Sequence, residues 1–228
     1  MDFLFPPACA GCDRFSYRFC PSCYQDIIAP PTKNCCKKCG DFLVEDSCPH
    51  CSSNHFMFES IVSLGIYRTS LRQAILQLKF HRNLGLGDEF APHLKQLLHL
   101  TGWDIDQVIP VPVSAQRRKE RGFNQAEILA YPLALSTNLP YSSKALLKTK
   151  EAHSQIGLSF SERMQNIQEA FKASSIVQNK NILLVDDVIT TGATLNSCTQ
   201  ALLIAGAKKV YGLSLARTVI KNEITLIL

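Results

Sequence analysis

The sequence lacks any apolar run long enough to cross a bilayer, which takes about 20 consecutive apolar residues. Residues 1–7 also lack the basic stretch followed by an apolar stretch that marks a secretory leader. We therefore expect no membrane insertion and a cytoplasmic location.

A strong charge of one sign is missing as well. The formal net charge is +5 over 228 residues, a mild excess that suits phosphorylated ligands or nucleic acid without requiring either. The length is sufficient for one α/β domain of good size and a small additional module. Composition therefore does not choose between these kinds of partner.

Cysteine is almost absent after residue 51: of the ten cysteines in the chain, only Cys198 lies there. The other nine consist of four Cys-x-x-Cys pairs and one extra residue, Cys35. A disulfide framework and a redox dithiol are the alternatives to metal binding. Tandem pairs ahead of a large domain that needs no cross-links favour metal binding.

The pairs form an internal repeat that is typical of zinc knuckles. Residues 9–23 and 36–51, here called the first and second knuckle, each hold two pairs. A spacing of two residues within a pair lets both sulfurs bind one tetrahedral ion. Four thiolates then fill all coordination positions, so each knuckle is predicted to hold one structural zinc ion. Sequential or crossed pairing stays open, Cys35 could replace Cys36, and His50 and His55 are interpreted as ordinary polar positions. The predicted ligands are Cys9, Cys12, Cys20, Cys23, Cys36, Cys39, Cys48 and Cys51.

Residues 56–228 alternate between strand and helix patterns, which predicts an α/β fold with a Rossmann-like parallel sheet. Residues 1–55 would form a small N-terminal zinc-ribbon domain. In such sheets the ligand lies at the C-terminal ends of the strands. The predicted strands cover residues 60–67, 108–113, 144–147, 182–185 and 210–217, and further candidates are a helix from residue 161 and a last strand over 224–228.

The chain is organised around residues 181–194. A buried strand ends in Asp186 and Asp187, here called the Asp pair, and a small-residue loop then leads into a helix. Carboxylates accept hydrogen bonds from hydroxyls or from waters on Mg²⁺, and a helix N-terminus favours an anion. The alternative is a plain turn with a threonine helix cap. The loop, here called the threonine loop, consists of Thr190, Thr191, Gly192, Ala193 and Thr194.

The whole stretch resembles the phosphoribosyl-pyrophosphate (PRPP) loop of type I phosphoribosyltransferases. The shared pattern is an apolar run, Asp-Asp, two apolar residues and Thr-Thr-Gly-Ala-Thr, and no position departs from it. The resemblance implies a type I phosphoribosyltransferase sheet that binds PRPP with Mg²⁺. The Asp pair would then bind the ribose hydroxyls and the threonine loop the 5′-phosphate.

Residues 114–125, here called the basic segment, are predicted to form a loop that leads into a helix, and they are a second candidate anion site. Four cations fall within five positions: Arg117, Arg118, Lys119 and Arg121. The alternative is a solvated charge run, but cations are disfavoured just before a helix start, so a bound anion is favoured. Lys79, near the end of a predicted helix, is either a helix-dipole partner or a further pyrophosphate ligand.

Together these features resemble the ComF family, phosphoribosyltransferase-like proteins associated with competence and DNA uptake in bacteria. The resemblance rests on Val-Pro-Val at 111–113, Arg-x-x-x-Arg-Gly-Phe-Asn-Gln at 117–125, the PRPP-like loop and the N-terminal cysteines. These motifs follow the family order over essentially the whole chain. By this resemblance Arg117, Arg121 and residues 122–125 take the family's signature positions, and residues 111–115 correspond to the pyrophosphate-binding loop of type I folds. We therefore expect Arg117, Arg121 and the neighbouring Arg118 to bind PRPP, and the Asp pair and Arg121 to have catalytic roles.

Two function hypotheses follow from the resemblance. The first is an enzyme that transfers the phosphoribosyl group of PRPP to a purine, pyrimidine or amine. The second is a non-catalytic module in DNA uptake, whose implied partners are single-stranded DNA and a competence helicase or recombination mediator. The candidate for a loop that closes over PRPP is 148–159. This segment has lysines where the family commonly has arginines, and a lysine cannot form the bidentate contact with phosphate that an arginine forms.

Overall fold

The computed structural model describes residues 6–27, 29–30, 35–41, 43–149 and 170–218. Two short helices lie at the second cysteine pair of each knuckle, and strands and helices then follow one another singly or in pairs. In chain order they are α1 (Pro21–Gln25), α2 (Pro49–Asn54), β1 (Ser60–Ile66), α3 (Thr69–Phe80), α4 (Leu86–Thr101), β2 (Gln107–Pro110), α5 (Ala115–Arg121), α6 (Gln125–Thr137), β3 (Leu146–Lys148), β4 (Phe171–Ala173), a single 3₁₀ turn (Ser175–Val177), β5 (Asn181–Ile189), α7 (Ala193–Ile204) and β6 (Lys209–Arg217).

Four of the strands form one parallel sheet in the order β1-β6-β5-β2. In this register Ser60 lies opposite Tyr211, and Asn181 lies opposite Lys209. Strands β3 and β4 pair separately and antiparallel. Because all four main strands run the same way, their C-terminal ends meet at one edge, which confirms the predicted α/β fold.

Helices cover both faces of the sheet. In β5, Leu183 and Val185 pack with α3, α4 and α6, whereas Ile182 and Leu184 pack with α7, β3 and β4. Successive side chains of a strand point to opposite faces, so burial on both sides requires apolar residues at every position. This explains the uninterrupted apolar run that precedes the Asp pair.

The two knuckles pack on opposite faces of this sheet. Phe19 and Cys23 of the first knuckle belong to the core on the α3, α4 and α6 side. Cys39 of the second knuckle belongs to the core on the α7 side, next to Phe56 and Phe58. Each knuckle thus shares its buried side chains with the α/β core, and the division at residues 55 and 56 remains a proposal.

The basic segment is helical where the sequence indicated a loop. Ser114 caps helix α5 by accepting a hydrogen bond from the Arg117 amide at 3.3 Å. The helix ends at Gly122, whose φ of +86° is costly for other residues. Strand β2 stops at Pro110 rather than at residue 113, because prolines cannot donate to the ladder.

Several expectations fall on other parts of the chain. The helix from residue 161, the last strand over 224–228 and most of the 148–159 segment lie outside the described residues. None of the helices in the described ranges is both long and apolar enough to span a membrane.

Candidate functional site at the strand ends

A cavity of about 360 Å³ opens at the C-terminal edge of the sheet. It is bordered by residues at or after the ends of all four parallel strands, the place where a parallel α/β sheet binds its ligand. The predicted residues that line it are Asp186, Asp187, Thr190, Thr194, Arg117 and Arg121. The structure therefore brings the Asp pair, the threonine loop and the basic segment to one site.

The two carboxylates of the Asp pair lie in different electrostatic environments. Asp187 is 7% exposed, and its Oδ1 lies 2.9 Å from the Nζ atom of Lys79. Asp186 accepts a hydrogen bond from the Asp187 amide at 2.8 Å. Burial, and then the charge of Asp187, raises the pKa of Asp186 to about 8. A carboxyl with such a shift beside a specific charge partner in a cleft is typical of a functional site.

The threonine loop turns the chain from β5 into α7. Gly192 has a φ of +72°, which glycine adopts without steric cost. The Ala193 amide donates to Thr191 Oγ1 at 3.4 Å, and the first turn of α7 borders the cavity through Thr194. The positive end of a twelve-residue helix and two threonine hydroxyls thus lie beside the Asp pair.

Helix α5 divides the arginines of the basic segment between two faces. Arg117 and Arg121, one turn apart, both line the cavity. Arg118 points elsewhere: its guanidinium pairs with Glu127 at 2.6 Å, and it is not among the described residues that line the cavity. The site therefore receives two of the three predicted arginines.

Gln125 adds an unused hydrogen-bond donor. Its side chain is 1% exposed, lines the cavity and accepts from Arg121 Nη1 at 3.0 Å. Its Nε2 atom is buried and has no hydrogen-bond partner among the described residues. Because a buried donor without a partner is costly, this amide is suited to an acceptor that arrives with a ligand.

Each knuckle gathers its four thiols in one place. The sulfur pairs Cys9–Cys23 and Cys12–Cys20 lie 3.7 and 3.6 Å apart in the first knuckle. In the second, the pairs Cys36–Cys51 and Cys39–Cys48 lie 3.7 and 3.5 Å apart. Four thiolates around one zinc at about 2.3 Å have sulfurs about 3.8 Å apart, so both sets fit the ion.

These two sets, here called the first and second tetrad, also settle the pairing of the ligands. Each tetrad is sequential within its own repeat, and Cys35 belongs to neither. The sulfur–sulfur distances of 3.5–3.7 Å within the tetrads are far longer than a disulfide bond of about 2.0 Å, so the structure favours metal binding over disulfides there. Without a metal ion the thiols shift in opposite directions: the hydrogen bond from the Cys23 backbone lowers the pKa of Cys20 to about 6, whereas burial raises the pKa values of Cys23, Cys39 and Cys51.

Comparison with known proteins identifies the family. Residues 119–218 match the Phosphoribosyl transferase domain. DNA utilization protein YhgH of Shigella flexneri is 33% identical over 197 residues, which cover 82% of this chain and 85% of the relative. Competence protein F of Haemophilus influenzae is 30% identical over 215 residues, 87% of this chain and 90% of the relative. The chain belongs to the ComF family.

Two further likenesses are weaker. Competence protein ComFC of Streptococcus pneumoniae is 28% identical over 213 residues, 92% of this chain and 87% of the relative. Among solved structures, glutamine PRPP amidotransferase from B. subtilis aligns at 22% identity with a TM-score of 0.43, covering 58% of this chain and 26% of that one. The resemblance to ComF proteins that the motifs indicated is confirmed by the first two relatives.

Several residues of this ComF site were not found from the sequence. Lys79 was left between two interpretations, and the structure places it against Asp187 in the cavity. Tyr67 and Thr218 lie directly after β1 and β6, and no motif marks them. Gln125 is the last residue of the basic segment and of the family motif, and this position is the only signal for it in the sequence.

Proposed function

We propose that the cavity binds PRPP together with Mg²⁺ and that this ComF protein acts in DNA utilisation. The observation that carries the proposal is the convergence of four cations, two acidic side chains and the unpartnered Gln125 Nε2 atom on one cavity at the strand ends. The match to a phosphoribosyltransferase domain supports a phosphoribosyl ligand. The role in DNA utilisation is proposed from the names of the relatives.

Each part of PRPP has chemically suited residues in the cavity. The threonine loop would hold the 5′-phosphate with its hydroxyls and the N-terminus of α7. The Asp pair would accept hydrogen bonds from the ribose hydroxyls. Lys79, Arg117 and Arg121 would bind the pyrophosphate, and the Gln125 amide would donate to one of its oxygens.

The same residues suit displacement of pyrophosphate. When an acceptor bonds to the anomeric carbon, the bond from that carbon to the pyrophosphate oxygen breaks and positive charge develops on the ribose. The Asp pair would stabilise this charge. Arg117 and Arg121 would stabilise the negative charge on the departing oxygen. Bound Mg²⁺ supplies further neutralisation of the pyrophosphate.

Calorimetric titration with PRPP, with and without Mg²⁺, tests the proposal. Magnesium-dependent binding is expected, and absence of binding contradicts the proposed function. Adding purine bases, pyrimidine bases and amines to the complex and measuring pyrophosphate then separates transfer from binding alone. Release that depends on one class of acceptor identifies a transferase, whereas binding without release identifies a PRPP-binding module.

We predict that Arg121→Ala weakens PRPP binding about 10- to 100-fold, because a hydrogen bond to a charged group contributes about 1.5–3 kcal/mol. Arg118→Ala is the matched control, since it removes the same charge from the same helix but outside the cavity. Its exposed pair with Glu127 contributes about 0–1 kcal/mol to stability. Calorimetric Kd values for the two variants make the comparison, and equal effects would contradict the assigned pyrophosphate site.

We also propose that the first knuckle contacts single-stranded DNA. Phe15 is 71% exposed and Tyr17 is 42% exposed, and both lie next in sequence to an arginine. Exposed aromatic rings stack on bases, while nearby cations attract the phosphates. Such a surface would be separate from the PRPP cavity, because none of the described residues that line the cavity belongs to the first knuckle.

The double substitution Phe15→Ala/Tyr17→Ala is expected to weaken single-stranded DNA binding about tenfold or more, since stacking contributes about 1–3 kcal/mol per base. Fluorescence anisotropy with a labelled oligonucleotide measures it. Tyr131→Ala, which removes an exposed aromatic ring from α6, is the control and should change nothing. Unchanged DNA affinity in the double variant would exclude this surface.

A further inference from the structure

Arg217, the last residue of β6, crosses from the α/β core into the second knuckle. Its Nη1 donates to the Cys39 carbonyl at 2.9 Å, and its Nη2 pairs with Asp41. The other carboxylate oxygen of Asp41 pairs with His50 Nδ1. The Arg217 and Asp41 side chains are 12% and 8% exposed, so water screens this ion pair only weakly.

This network surrounds the backbone that carries the second tetrad. The Asp41 carbonyl accepts from the Cys36 amide at 2.7 Å, and the Asp41 amide is hydrogen-bonded to the Cys39 thiol. Between them, Gly40 has a φ of +74°, and a Cβ atom there would lie 2.2 Å from Arg217 Nη1. Only glycine at position 40 leaves room for the Arg217 guanidinium. Contacts of this kind, from residues outside the metal-binding shell, orient the metal ligands.

The same network also reaches the threonine loop. Arg217, His50 and Cys39 border a space of only about 10 Å³ whose other walls include Thr190, Thr191 and Gly192. Two stacked rings, Phe56 and Phe58, fill the rest of this region, with centroids 4.7 Å apart. Cys39 of the second tetrad and the threonine loop thus border the same small space together with Phe56 and Phe58, so displacement of one side is transmitted to the other through these rings.

The chain continues this connection beyond Arg217. The Thr218 amide donates to the Ile189 carbonyl at 3.1 Å, and Ile189 immediately precedes the threonine loop. Thr218 also lines the large cavity. Residues 217 and 218 therefore contact the second tetrad on one side and the phosphoribosyl site on the other.

We propose that Arg217 is a positioning residue that couples the second tetrad to the threonine loop, so that zinc and PRPP bind cooperatively. The PRPP half of this proposal rests on the proposed function. Coupling between two binding sites is reciprocal, so bound PRPP must retain zinc in the second tetrad as strongly as that zinc favours PRPP.

Zinc release from the full chain to a chromophoric chelator tests this coupling. Without PRPP, Arg217→Ala should release one of two zinc ions about 10- to 100-fold faster, the usual effect of losing such a supporting contact. In the wild-type chain, PRPP with Mg²⁺ should slow release of that same ion, and in Arg217→Ala it should not. Arg217→Lys keeps the charge but not the bidentate contact, so its zinc release rate should lie between those of the wild type and of Arg217→Ala.

The two ions are distinguished by replacing zinc with ¹¹³Cd and recording one NMR signal for each tetrad. Arg217→Ala and PRPP should shift the same signal. Asp26→Asn is the matched control, because Asp26 accepts from the Ser70 amide at 3.2 Å and holds the first knuckle on α3. It should affect only the other signal and leave the response to PRPP intact.

Three results would overturn the inference. Wild-type release rates in Arg217→Ala would show that Arg217 does not position the tetrad. PRPP that binds without changing zinc release would exclude the coupling. If PRPP does not bind at all, the proposed function and the coupling fail together, and the ligand-free rates alone decide the role of Arg217. If Arg217→Ala does not fold, the comparison with Arg217→Lys decides these points.

Discussion

Asp186→Asn is expected to raise the melting temperature of the ligand-free protein at pH 9 while abolishing PRPP binding. In the folded protein, burial and the neighbouring Asp187 raise the pKa of Asp186 to about 8 from an ordinary value of 3.8. Between pH 3.8 and about pH 8, Asp186 is protonated in the folded protein but ionised in the unfolded chain. Stability therefore falls as pH rises through this interval, and the full cost is present above pH 8.

The amide side chain cannot ionise, so the variant avoids this cost. A pKa difference of one between the folded and unfolded states corresponds to about 1.4 kcal/mol. Even a quarter of the Asp186 shift therefore changes the free energy of unfolding by more than about 1 kcal/mol. For a chain of this size, that raises the melting temperature by about 2–4 °C. The gain should be largest at pH 9 and vanish near pH 4, where the carboxyl is protonated in the unfolded chain as well.

Asp187→Asn is the matched control for this prediction. It removes a carboxylate one position away, but it leaves Lys79 without its partner at 2.9 Å. We expect it to lower the melting temperature while also weakening PRPP binding. Differential scanning calorimetry at pH 4, 7 and 9 and titration with PRPP and Mg²⁺ provide the two measurements. Equal melting temperatures for wild type and Asp186→Asn at pH 9, or retained PRPP affinity, would contradict this account of the site.

The part of the site that is contiguous in sequence could be predicted, and the part assembled by topology could not. The Asp pair and the threonine loop lie in one short stretch, so their types and spacing identified them together. Lys79 and Thr218 come from the ends of other elements. They reach the cavity of the Asp pair only because the sheet order β1-β6-β5-β2 places β6 next to β5, and β1, which leads into α3, next to β6. No local pattern specifies that order.

The arginines show how a local error propagates. With residues 114–125 interpreted as a loop, Arg117, Arg118 and Arg121 were equivalent candidates. Once residues 115–121 form a helix, Arg117 and Arg121 share a face and Arg118 does not. The signals for this helix were present, since Ser114 is a good N-cap and Gly122 a good C-terminal residue.

The cysteine repeat predicted the two tetrads but not their placement. Spacing within each knuckle is a local property, and the sulfur distances agree with it. Packing on opposite faces of the sheet depends on apolar side chains outside the repeat, such as Phe19 on one face and Phe58 on the other. No local pattern assigns a role to Arg217, because its partner Asp41 lies far away in the sequence.

This placement leads to the prediction of largest effect, that removing zinc unfolds the whole protein rather than an N-terminal appendage. Cys9, Cys20 and Cys23 are buried in the core of one face and Cys39 in the core of the other. A structural zinc site contributes about 10–16 kcal/mol to folding in small peptides, which matches or exceeds the typical total stability of about 5–15 kcal/mol. Loss of either ion should therefore destabilise the shared core.

Metal analysis of the purified chain should give two zinc ions, one for each tetrad. Chelation should then change the fluorescence of Trp103, the single tryptophan, which stacks on Tyr211 of β6 with ring centroids 4.6 Å apart. Trp103 belongs to the α/β core and lies in neither knuckle, so its emission reports whether unfolding spreads. Cys23→Ser should produce the same change without a chelator.

Cys198→Ala is the control, because Cys198 is buried in the core but belongs to neither tetrad. It should retain two zinc ions and the native Trp103 emission, with only a modest loss of stability. If chelation instead removes both ions while the Trp103 emission and the main melting transition persist, the knuckles fold independently of the sheet. The packing of Phe19 and Cys23 against α3 and α4 predicts the opposite, because the α/β core cannot lose these side chains without exposing its own apolar surface.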